Sequence, residues 1–400
     1  MKIGILTFHR SVNNGAFMQA YALSSEIKKR FPSDEVEIID FTPPSVVNYY
    51  SYSLVSYLRH STLRVFAGKL LHLLRDPTYL KRMRKRTAVF DAVAGALPLS
   101  EKKIVSSNYD DVYAYINDNY DRLVVGSDAV WNFVLRGYPN PYFPDSRVKA
   151  RKLSYAASCY GMDFLKCPEE TRKSIAGVFD AFDFIGVRDT ATEEMVRWSG
   201  SRAEPVHTCD PTALLDVDTL PVRQSDFEKK LADRGFDFNR PTIGMMGGDA
   251  MFSMIKKMYG DKYQIVALYN YIKGADVNLY DVTPFEWAYA FRYFKVTFTT
   301  FFHGTMLSLR NGTPLICIAL KTDFAKKHTP KTLDVLRRCG LSDWYFETDY
   351  RSENFDKIKK TADELIRGNF HDLILERMNE EAKSFEPFAE ALEKIKENNV

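Results

Sequence analysis

The sequence predicts an α/β protein of two Rossmann-like domains that face each other across a cleft, followed by a C-terminal helical tail. Short apolar runs alternate with segments of helical periodicity in both halves, a pattern typical of parallel sheets. The length of 400 residues exceeds what a single hydrophobic core usually holds. A charged stretch at residues 215–240 interrupts the alternation and therefore marks a domain boundary.

The first domain, predicted over residues 1–215, opens with a strand, a loop, a helix and a second strand. The apolar run at 3–8 stops at His9, and Asn13-Asn14-Gly15 breaks the chain before a helix at 16–30. A unit of this kind implies a parallel sheet whose ligands bind at the carboxyl ends of its strands. The other predicted elements are strands at 36–41, 122–125, 152–157, 182–188 and 205–209, and a helix at 190–198.

The second domain, predicted over residues 216–370, repeats this alternation. Thr283 and Pro284 suit the cap and the first position of a helix at 284–293, and His303 with Gly304 opens another helix. Residues 371–400 form the charged tail. Two facing domains of this type give a GT-B-like architecture, with the cleft as the natural ligand site. The predicted strands lie at 242–246, 263–268, 296–300 and 314–319.

A basic cluster lies in a helix predicted at residues 70–90. Two interpretations of the cluster remain open. It is either a solvated helix face or a surface for an anionic lipid or a phosphorylated acceptor, because basic clusters attract anionic headgroups. The second interpretation predicts peripheral contact with the inner face of a membrane. The cluster reads Lys81-Arg82-Met83-Arg84-Lys85-Arg86.

Composition and motifs exclude several classes of function. A formal net charge of +3 does not indicate a nucleic-acid partner. The sequence has neither the glycine fingerprint of a dinucleotide fold nor a phosphate-binding Walker run, and no histidine pair has metal-ligand spacing, so neither a cofactor nor a metal is expected. The short N-terminal apolar run and the scattered cysteines predict a cytoplasmic location.

The candidate site residues all follow predicted strands, where side chains reach the crevice. His303 begins a helix, whose free N–H groups and dipole favour an anion. It is either a ligand or proton donor, or a buried histidine satisfied by backbone groups. Asp128 follows the strand at 122–125 and can act as a base, hold a hydroxyl or cap a helix. For Asp210 before Pro211, helix capping is the ordinary interpretation.

Two cations and one loop complete the candidates. Arg188 can clamp an oxyanion through two N–H groups or pair with Asp189 or Glu193. Lys321, after the strand at 314–319, offers a point charge to a phosphate or is a surface lysine. The first strand-to-helix turn is predicted to line the acceptor side, and its residues are His9, Asn13, Asn14 and Gly15.

Read in order, six segments resemble the polysaccharide pyruvyl transferase family. They run from residue 4 to about residue 320, and the match is weaker at 42–115 and after 325. Each is short, but six in register make a specific signal. The segments are Gly4-Ile5-Leu6-Thr7-Phe8-His9 with Asn13 and Gly15-Ala16, Val125-Gly126-Ser127-Asp128 with Trp131-Asn132, Ser154-Tyr155-Ala156-Ala157-Ser158, Gly186-Val187-Arg188-Asp189, Asp210-Pro211-Thr212, and Phe302-His303-Gly304-Thr305.

The resemblance implies an enzyme that takes phosphoenolpyruvate and installs a pyruvate ketal across two hydroxyls of a sugar in a polysaccharide or lipid-linked precursor. It assigns Arg188, His303 and Gly304 to the binding of phosphoenolpyruvate. His303 is the acid, and Lys321 is a weaker helper in binding. Asp128 and Asp210 become bases or acceptor contacts. The chain departs from many members at Phe301, where they carry an arginine.

Two other functions compete with this one. A GT-B glycosyltransferase that uses a nucleotide sugar would share the fold, although no convincing acidic pair for a ribose is visible in the second domain. A catalytically idle scaffold of a polysaccharide locus is the other alternative, because fold and function separate readily.

Overall fold

The computed structural model describes residues 1–49, 76–260, 262–320, 327–348 and 354–397. Within these residues the chain forms two parallel six-stranded sheets, each covered by helices. The predicted fold class of two Rossmann-like domains in a GT-B-like arrangement is confirmed. The helix predicted at 70–90 is observed over Tyr79–Val93, and the part of that prediction at 70–75 lies outside the described residues, as do all of residues 50–75.

The first sheet has the strand order β2-β1-β3-β4-β5-β6, and all of its neighbouring strands are parallel. Its strands are almost wholly buried, which explains their continuous apolar runs. The strands are β1 Lys2–Leu6, β2 Glu35–Ile38, β3 Arg122–Val125, β4 Arg151–Ala157, β5 Phe184–Val187 and β6 Pro205–His207. The helices up to the second sheet are α1 Asn14–Arg30, α2 Pro44–Tyr49, α3 Tyr79–Val93, α4 Tyr109–Asn119, α5 Phe133–Arg136, α6 Glu169–Phe179, α7 Thr190–Ser199 and α8 Gln224–Ala232.

The second sheet has the order β12-β11-β10-β7-β8-β9 and is also parallel. Its strands are β7 Thr242–Met246, β8 Gln264–Ala267, β9 Val277–Asn278, β10 Val296–Thr299, β11 Leu315–Ala319 and β12 Tyr345–Glu347. Its helices are α9 Asp249–Tyr259, α10 Pro284–Tyr289, α11 Phe302–Arg310 and α12 Lys331–Arg338. Thr283 and Glu286 form a reciprocal capping box at the start of α10, so the predicted cap is confirmed.

Each sheet has a topological switch point, where the strand order reverses and ligands usually bind. In the first sheet it lies between β1 and β3, beside the start of α1 and the turn that carries Asp128. In the second sheet it lies between β7 and β10, beside Gly247 and the start of α11. The two switch points therefore carry Asp128, Gly15 and His303, whereas Arg188 and Asp210 follow β5 and β6.

The C-terminal helices lead from the second domain back to the first, because the first of them packs on β10 and β11 and the last on β4 and β5. They are α13 Phe355–Arg367, α14 His371–Ala382 and α15 Glu386–Glu397. The ring centroid of Phe388, on α15, lies 4.9 Å from that of Tyr155 on β4. The hydroxyl of Ser384 donates a hydrogen bond to the Glu381 carbonyl and accepts one from the backbone N–H of Cys209. The tail predicted at 371–400 thus begins where α14 begins and ties the two domains together.

Candidate functional site

His303 is the second residue of α11, directly after the N-cap Phe301 and Phe302. Its Nε2 lies 3.9 Å from Oδ2 of Asp210, and this nitrogen has no hydrogen-bond partner among the described residues. Only 13% of the side chain is exposed. Backbone groups do not satisfy this nitrogen, so the interpretation of His303 as a satisfied core histidine is not supported at Nε2.

The other edge of the His303 ring rests on the first domain. A Cβ built on Gly15 would lie 2.0 Å from Nδ1 of His303, so only a glycine at this position leaves room for the imidazole. Gly304 has a comparable packing role, because a Cβ there would meet the Thr299 hydroxyl at 2.3 Å. Gly304 thereby allows α11 to approach the end of β10, and Gly15 allows the two domains to meet at His303.

Asp210 combines the two roles that the sequence left open. One carboxylate oxygen caps the 3₁₀ turn Pro211–Leu214, accepting from the Thr212 backbone at 3.0 Å and from its hydroxyl at 2.6 Å. The other oxygen accepts from Nε2 of Gln19 at 2.6 Å and from Nη1 of Arg188 at 3.0 Å. Burial would raise the pKa of Asp210, but His303 and Arg188 outweigh it and lower that pKa. Asp210 is therefore an ionised anchor for both groups.

Arg188 follows β5 and is 1% exposed. Its Cζ lies 4.7 Å from the ring centroid of Phe302, and Nη2 lies 4.0 Å from Oδ1 of Asp128. Nε and Nη2 have no hydrogen-bond partner among the described residues. Burial lowers the pKa of Arg188, but the carboxylates of Asp210, Asp128 and Asp189 raise it further than burial lowers it. The result is a buried, charged guanidinium with two N–H groups left for a ligand.

Lys331, the first residue of α12, completes this cluster and was missed by the sequence reasoning. Its Nζ lies 4.3 Å from the ring centroid of Tyr160 and 4.9 Å from that of Phe302. Burial, and then repulsion from Arg188, lower the pKa of Lys331 to about 8. Its position after Pro330 at a helix start was a visible signal. Lys321, predicted instead, lies outside the described residues.

The charges of the cluster also set the state of the imidazole. Burial lowers the pKa of His303 to about 4, and Lys331 and Arg188 act in the same direction against the carboxylates of Asp210 and Asp128. The imidazole is thus neutral at neutral pH before any ligand enters. Arg188, Lys331 and His303 together form a buried cluster beside the carboxylates of Asp210, Asp128 and Asp189. Within it, Nε and Nη2 of Arg188 and Nε2 of His303 have no hydrogen-bond partner among the described residues.

Comparison with known sequences now decides the family. The sequence profile of the polysaccharide pyruvyl transferase family matches residues 13–322, which is well over half of the chain. The chain belongs to this family. The match includes Gly15, Asp128, Arg188, Asp210 and His303, whereas Lys331 lies beyond it. Comparison with curated protein sequences finds no match.

Solved structures agree on the fold. The UDP-N-acetylglucosamine 2-epimerase of Methanocaldococcus jannaschii aligns with a TM-score of 0.53 and 9% identity, covering 92% of this chain and 94% of that one. A Listeria monocytogenes protein assigned as a UDP-N-acetylglucosamine 2-epimerase aligns with a TM-score of 0.52 and 12% identity, covering 99% and 97%. At such identities the likeness concerns the fold alone. Family membership places this chain among the transferases of polysaccharide biosynthesis.

Asp128 is the most accessible of the three carboxylates that surround Arg188. Its side chain is 17% exposed, against 1% for Asp210, and it adopts a positive φ of 75°. Oδ1 accepts from the backbone N–H of Ala129 at 2.8 Å. A non-glycine residue in this strained conformation is uncommon and is often found at functional sites.

The residues predicted for the acceptor side divide into two groups. Asn13 caps α1 and accepts from the Gly15 backbone at 2.9 Å, so its side-chain oxygen is occupied. Asn14 is 3% exposed, and its Oδ1 has no partner among the described residues. Asn14 is therefore the member of this turn whose side-chain acceptor is left unpaired within the described part of the chain.

His9 has a structural environment rather than an open one. It is 4% exposed, and its ring nitrogens face the Thr7 carbonyl at 3.2 Å and Oδ1 of Asp40 at 3.0 Å. Arg10 also donates to Asp40. His9 and Arg10 line a separate cavity with Phe17 and other residues of α1 and α3.

The basic cluster does not form one solvated face. Lys81 and Arg84 are exposed, but Arg82, Lys85 and Arg86 contact residues of the second domain. Its predicted role at a membrane stays a prediction. None of the described helices is long and apolar enough to cross a membrane. The described residues also contain no group of three or more metal-ligating side chains placed to hold a metal ion.

Proposed function

We propose that this protein transfers the pyruvyl group of phosphoenolpyruvate to two hydroxyls of a sugar, forming a ketal and releasing phosphate. The observation that carries the proposal is the buried, charged guanidinium of Arg188. Its Nε and Nη2 have no hydrogen-bond partner among the described residues, although carboxylate oxygens of Asp189 and Asp128 lie 3.8 and 4.0 Å away. A buried donor left unpaired is costly, so a ligand that pairs it gains much of that cost back. The ligand that this environment favours is a small anion.

Phosphoenolpyruvate suits the cluster because it carries a carboxylate and a phosphate on three carbons. Arg188 offers a pair of N–H groups to one anionic group, and Lys331 offers a point charge to the other. The start of α11 adds the positive end of a nine-residue helix. The aromatic rings of Phe302 and Tyr160 exclude water beside these cations, which strengthens each electrostatic contact.

The chemistry requires a proton donor and a proton acceptor. Protonation of the methylene carbon makes it a methyl group and leaves a cationic C2, to which the first sugar hydroxyl adds with loss of its proton. Cleavage of the C2–O bond then releases phosphate, and the second hydroxyl closes the ketal with loss of its own proton. Of the two hydroxyl protons, one replaces the proton spent on carbon and the other leaves with phosphate.

His303 becomes the acid when the donor binds. Its pKa of about 4 describes the empty site, where desolvation and two nearby cations disfavour a further charge. An anionic ligand offsets those cations and raises the pKa of His303, so binding takes up a proton from solvent. The resulting imidazolium is positioned by Asp210 and Gly15 and can deliver that proton to the methylene carbon.

Asp128 is the better proton acceptor for the sugar hydroxyls. Asp210 already accepts four hydrogen bonds and is 1% exposed at its side chain. Asp128 is more open, and among the described residues its side chain accepts one hydrogen bond, from a backbone N–H. Asp210 is therefore a positioning residue for Arg188 and His303. The unpaired Oδ1 of Asn14, one residue before Gly15, is the second oxygen that we assign to an acceptor hydroxyl.

The test is product analysis with phosphoenolpyruvate and a panel of glycosides that offer neighbouring or 1,3-related hydroxyl pairs. We expect release of inorganic phosphate together with a product that carries a pyruvate ketal. Arg188→Gln should lose turnover by about a hundredfold or more, as expected for a lost charge-stabilising donor. Arg197→Gln, which removes an exposed arginine from α7, is the matched control.

Two results would overturn the proposal. Release of a nucleoside diphosphate from a sugar nucleotide, with no phosphate from phosphoenolpyruvate, would favour the glycosyltransferase. Absence of phosphoenolpyruvate binding in calorimetry, in a protein that folds normally, would favour the scaffold. Calorimetry in buffers of different ionisation enthalpy adds a direct check, because the complex should take up at most about one proton from the buffer on binding at neutral pH.

A further inference from the structure

Helix α3 carries three cations from the first domain onto the second. Arg82 lies with its Cζ 4.4 Å from the ring centroid of Tyr271, and Lys85 pairs with Asp281. Arg86 lies with its Cζ 4.0 Å from the ring centroid of Tyr269. These contacts place one face of α3 against the loops of the second sheet.

The three cations differ in how well they are neutralised. Lys85 has the buried carboxylate of Asp281, and Arg82 donates from its two terminal nitrogens to Asp76 and Thr78. Arg86 is 4% exposed, yet within the described part of the chain its one hydrogen bond runs from Nη1 to the Tyr269 carbonyl at 3.2 Å. Among the described residues, Nε and Nη2 of Arg86 have no partner, and no carboxylate forms an ion pair with it.

A buried guanidinium in this condition is energetically unfavourable. Burial of a charge is costly unless the group is paired and hydrogen-bonded, and the contacts of this guanidinium with the rings of Tyr269 and Phe90 offset only part of that cost. An arginine that had only to pack on Tyr269 would gain from a neighbouring carboxylate, as Lys85 does one residue earlier. The two N–H groups without a hydrogen bond point instead to a ligand that binds reversibly.

The position of Arg86 identifies where that partner binds. Tyr269 follows the carboxyl end of β8, and its ring centroid lies 5.1 Å from that of Phe301. Phe301 is the N-cap residue of α11, the helix that carries His303. The guanidinium of Arg86 therefore lies at the ligand-binding edge of the second sheet, one aromatic layer from the start of α11.

We propose that Arg86 binds a phosphate or carboxylate group of a substrate in the cleft, as a second anion site beside the one formed by Arg188 and Lys331. Its assignment to a substrate of pyruvyl transfer rests on the proposed function. Two sources share this chemistry, namely one end of phosphoenolpyruvate and a phosphate of the sugar acceptor. The arginine side chain has enough rotatable bonds to turn its free N–H edge toward either one.

The test compares Arg86→Gln with two controls on the same helix. Arg84→Gln removes an exposed charge, and Arg82→Gln removes a contact to the second domain. Each protein is titrated by calorimetry with inorganic phosphate, phosphoenolpyruvate and uridine diphosphate, and its thermal midpoint is recorded. A lost charge-assisted pair of hydrogen bonds should weaken binding about tenfold to a hundredfold in Arg86→Gln only.

The pattern of loss identifies the source of the anion. Weaker phosphoenolpyruvate binding assigns Arg86 to the donor, and weaker uridine diphosphate binding alone assigns it to a phosphorylated acceptor. Wild-type affinity for all three anions in a folded Arg86→Gln protein overturns the proposal. If that variant does not fold, Arg86→Lys is tested in its place. Its ammonium cannot present two parallel N–H groups to an anion, so we expect weaker binding, and unchanged affinity would contradict the proposal. A wild-type protein that binds phosphate through Arg86 but forms no ketal would refute the proposed function alone.

Discussion

The imidazole of His303 and the backbone of Gly15 are in direct contact across the two domains, with room for no atom between them. A Cβ on Gly15 would come within 2.0 Å of Nδ1 of His303. Gly15 lies in the first turn of α1, and His303 lies in the first turn of α11. Two helix starts from different sheets therefore enclose one histidine, and the position of its ring depends on the first domain.

Gly15→Ala should displace the His303 ring without unfolding the protein. The added methyl cannot coexist with the present imidazole position, and an error of about 1 Å in a reacting group can cost about a hundredfold in rate. We expect kcat to fall by that order while the thermal midpoint changes little. Gly95→Ala is the control, because a Cβ there meets nothing within 4 Å. Equal activity of the two variants would show that the ring does not need Gly15.

The buried histidine should make the fold sensitive to mild acid. The folded pKa of His303 is about 4, below the ordinary 6.5, so the unfolded chain binds the proton first as pH falls. Stability from this group is complete above about pH 6.5 and is lost as pH falls toward about 4. His303→Asn should therefore lose less stability between pH 7.5 and pH 5 than wild type in urea unfolding. An exposed-histidine variant, His371→Asn, should follow the wild-type trend.

Lys331 should impose an upper pH limit on donor binding. Its pKa of about 8 means that the charge is present at neutral pH and is lost above that value. We expect kcat/KM for phosphoenolpyruvate to fall as pH rises through about 8. Lys331→Arg should remove this limit, because a guanidinium stays charged throughout. A flat wild-type profile between pH 7 and 9.5 would exclude Lys331 from the donor site.

Asp210→Asn should affect both chemistry and stability. The change removes the carboxylate that pairs with Arg188 and leaves a buried cation without its partner, which typically costs about 3–5 kcal/mol. It also removes the largest influence that raises the pKa of His303, so the acid should form less readily. We expect a lower thermal midpoint and a pH–rate profile displaced toward acid. Asp216→Asn, at an exposed carboxylate, should show neither effect.

Much of the architecture followed from the sequence because local pattern decides it. Apolar runs gave β3 and β7 with their observed bounds, and the cap at Thr283 was readable from two residues. Helix α8 was not predicted, because it lies within the charged stretch at 215–240 that marks the domain boundary. Helix α9 was also missed, although apolar residues recur along it. Where a helix packs on only part of its surface, the pattern is weak and tertiary contact decides.

The candidate site shows the same division. Parallel strands end at one edge of a sheet, so the sequence by itself could place Asp128, Arg188, Asp210 and His303 near a cleft and indicate the family. It could not reveal that Asp210 anchors Arg188, that Gly15 supports His303, or that Lys331 and Arg86 approach the site from other segments. Those relations join residues far apart in the chain. Only the packing of one domain against the other sets the distances, the burial and the charges on which the chemistry depends.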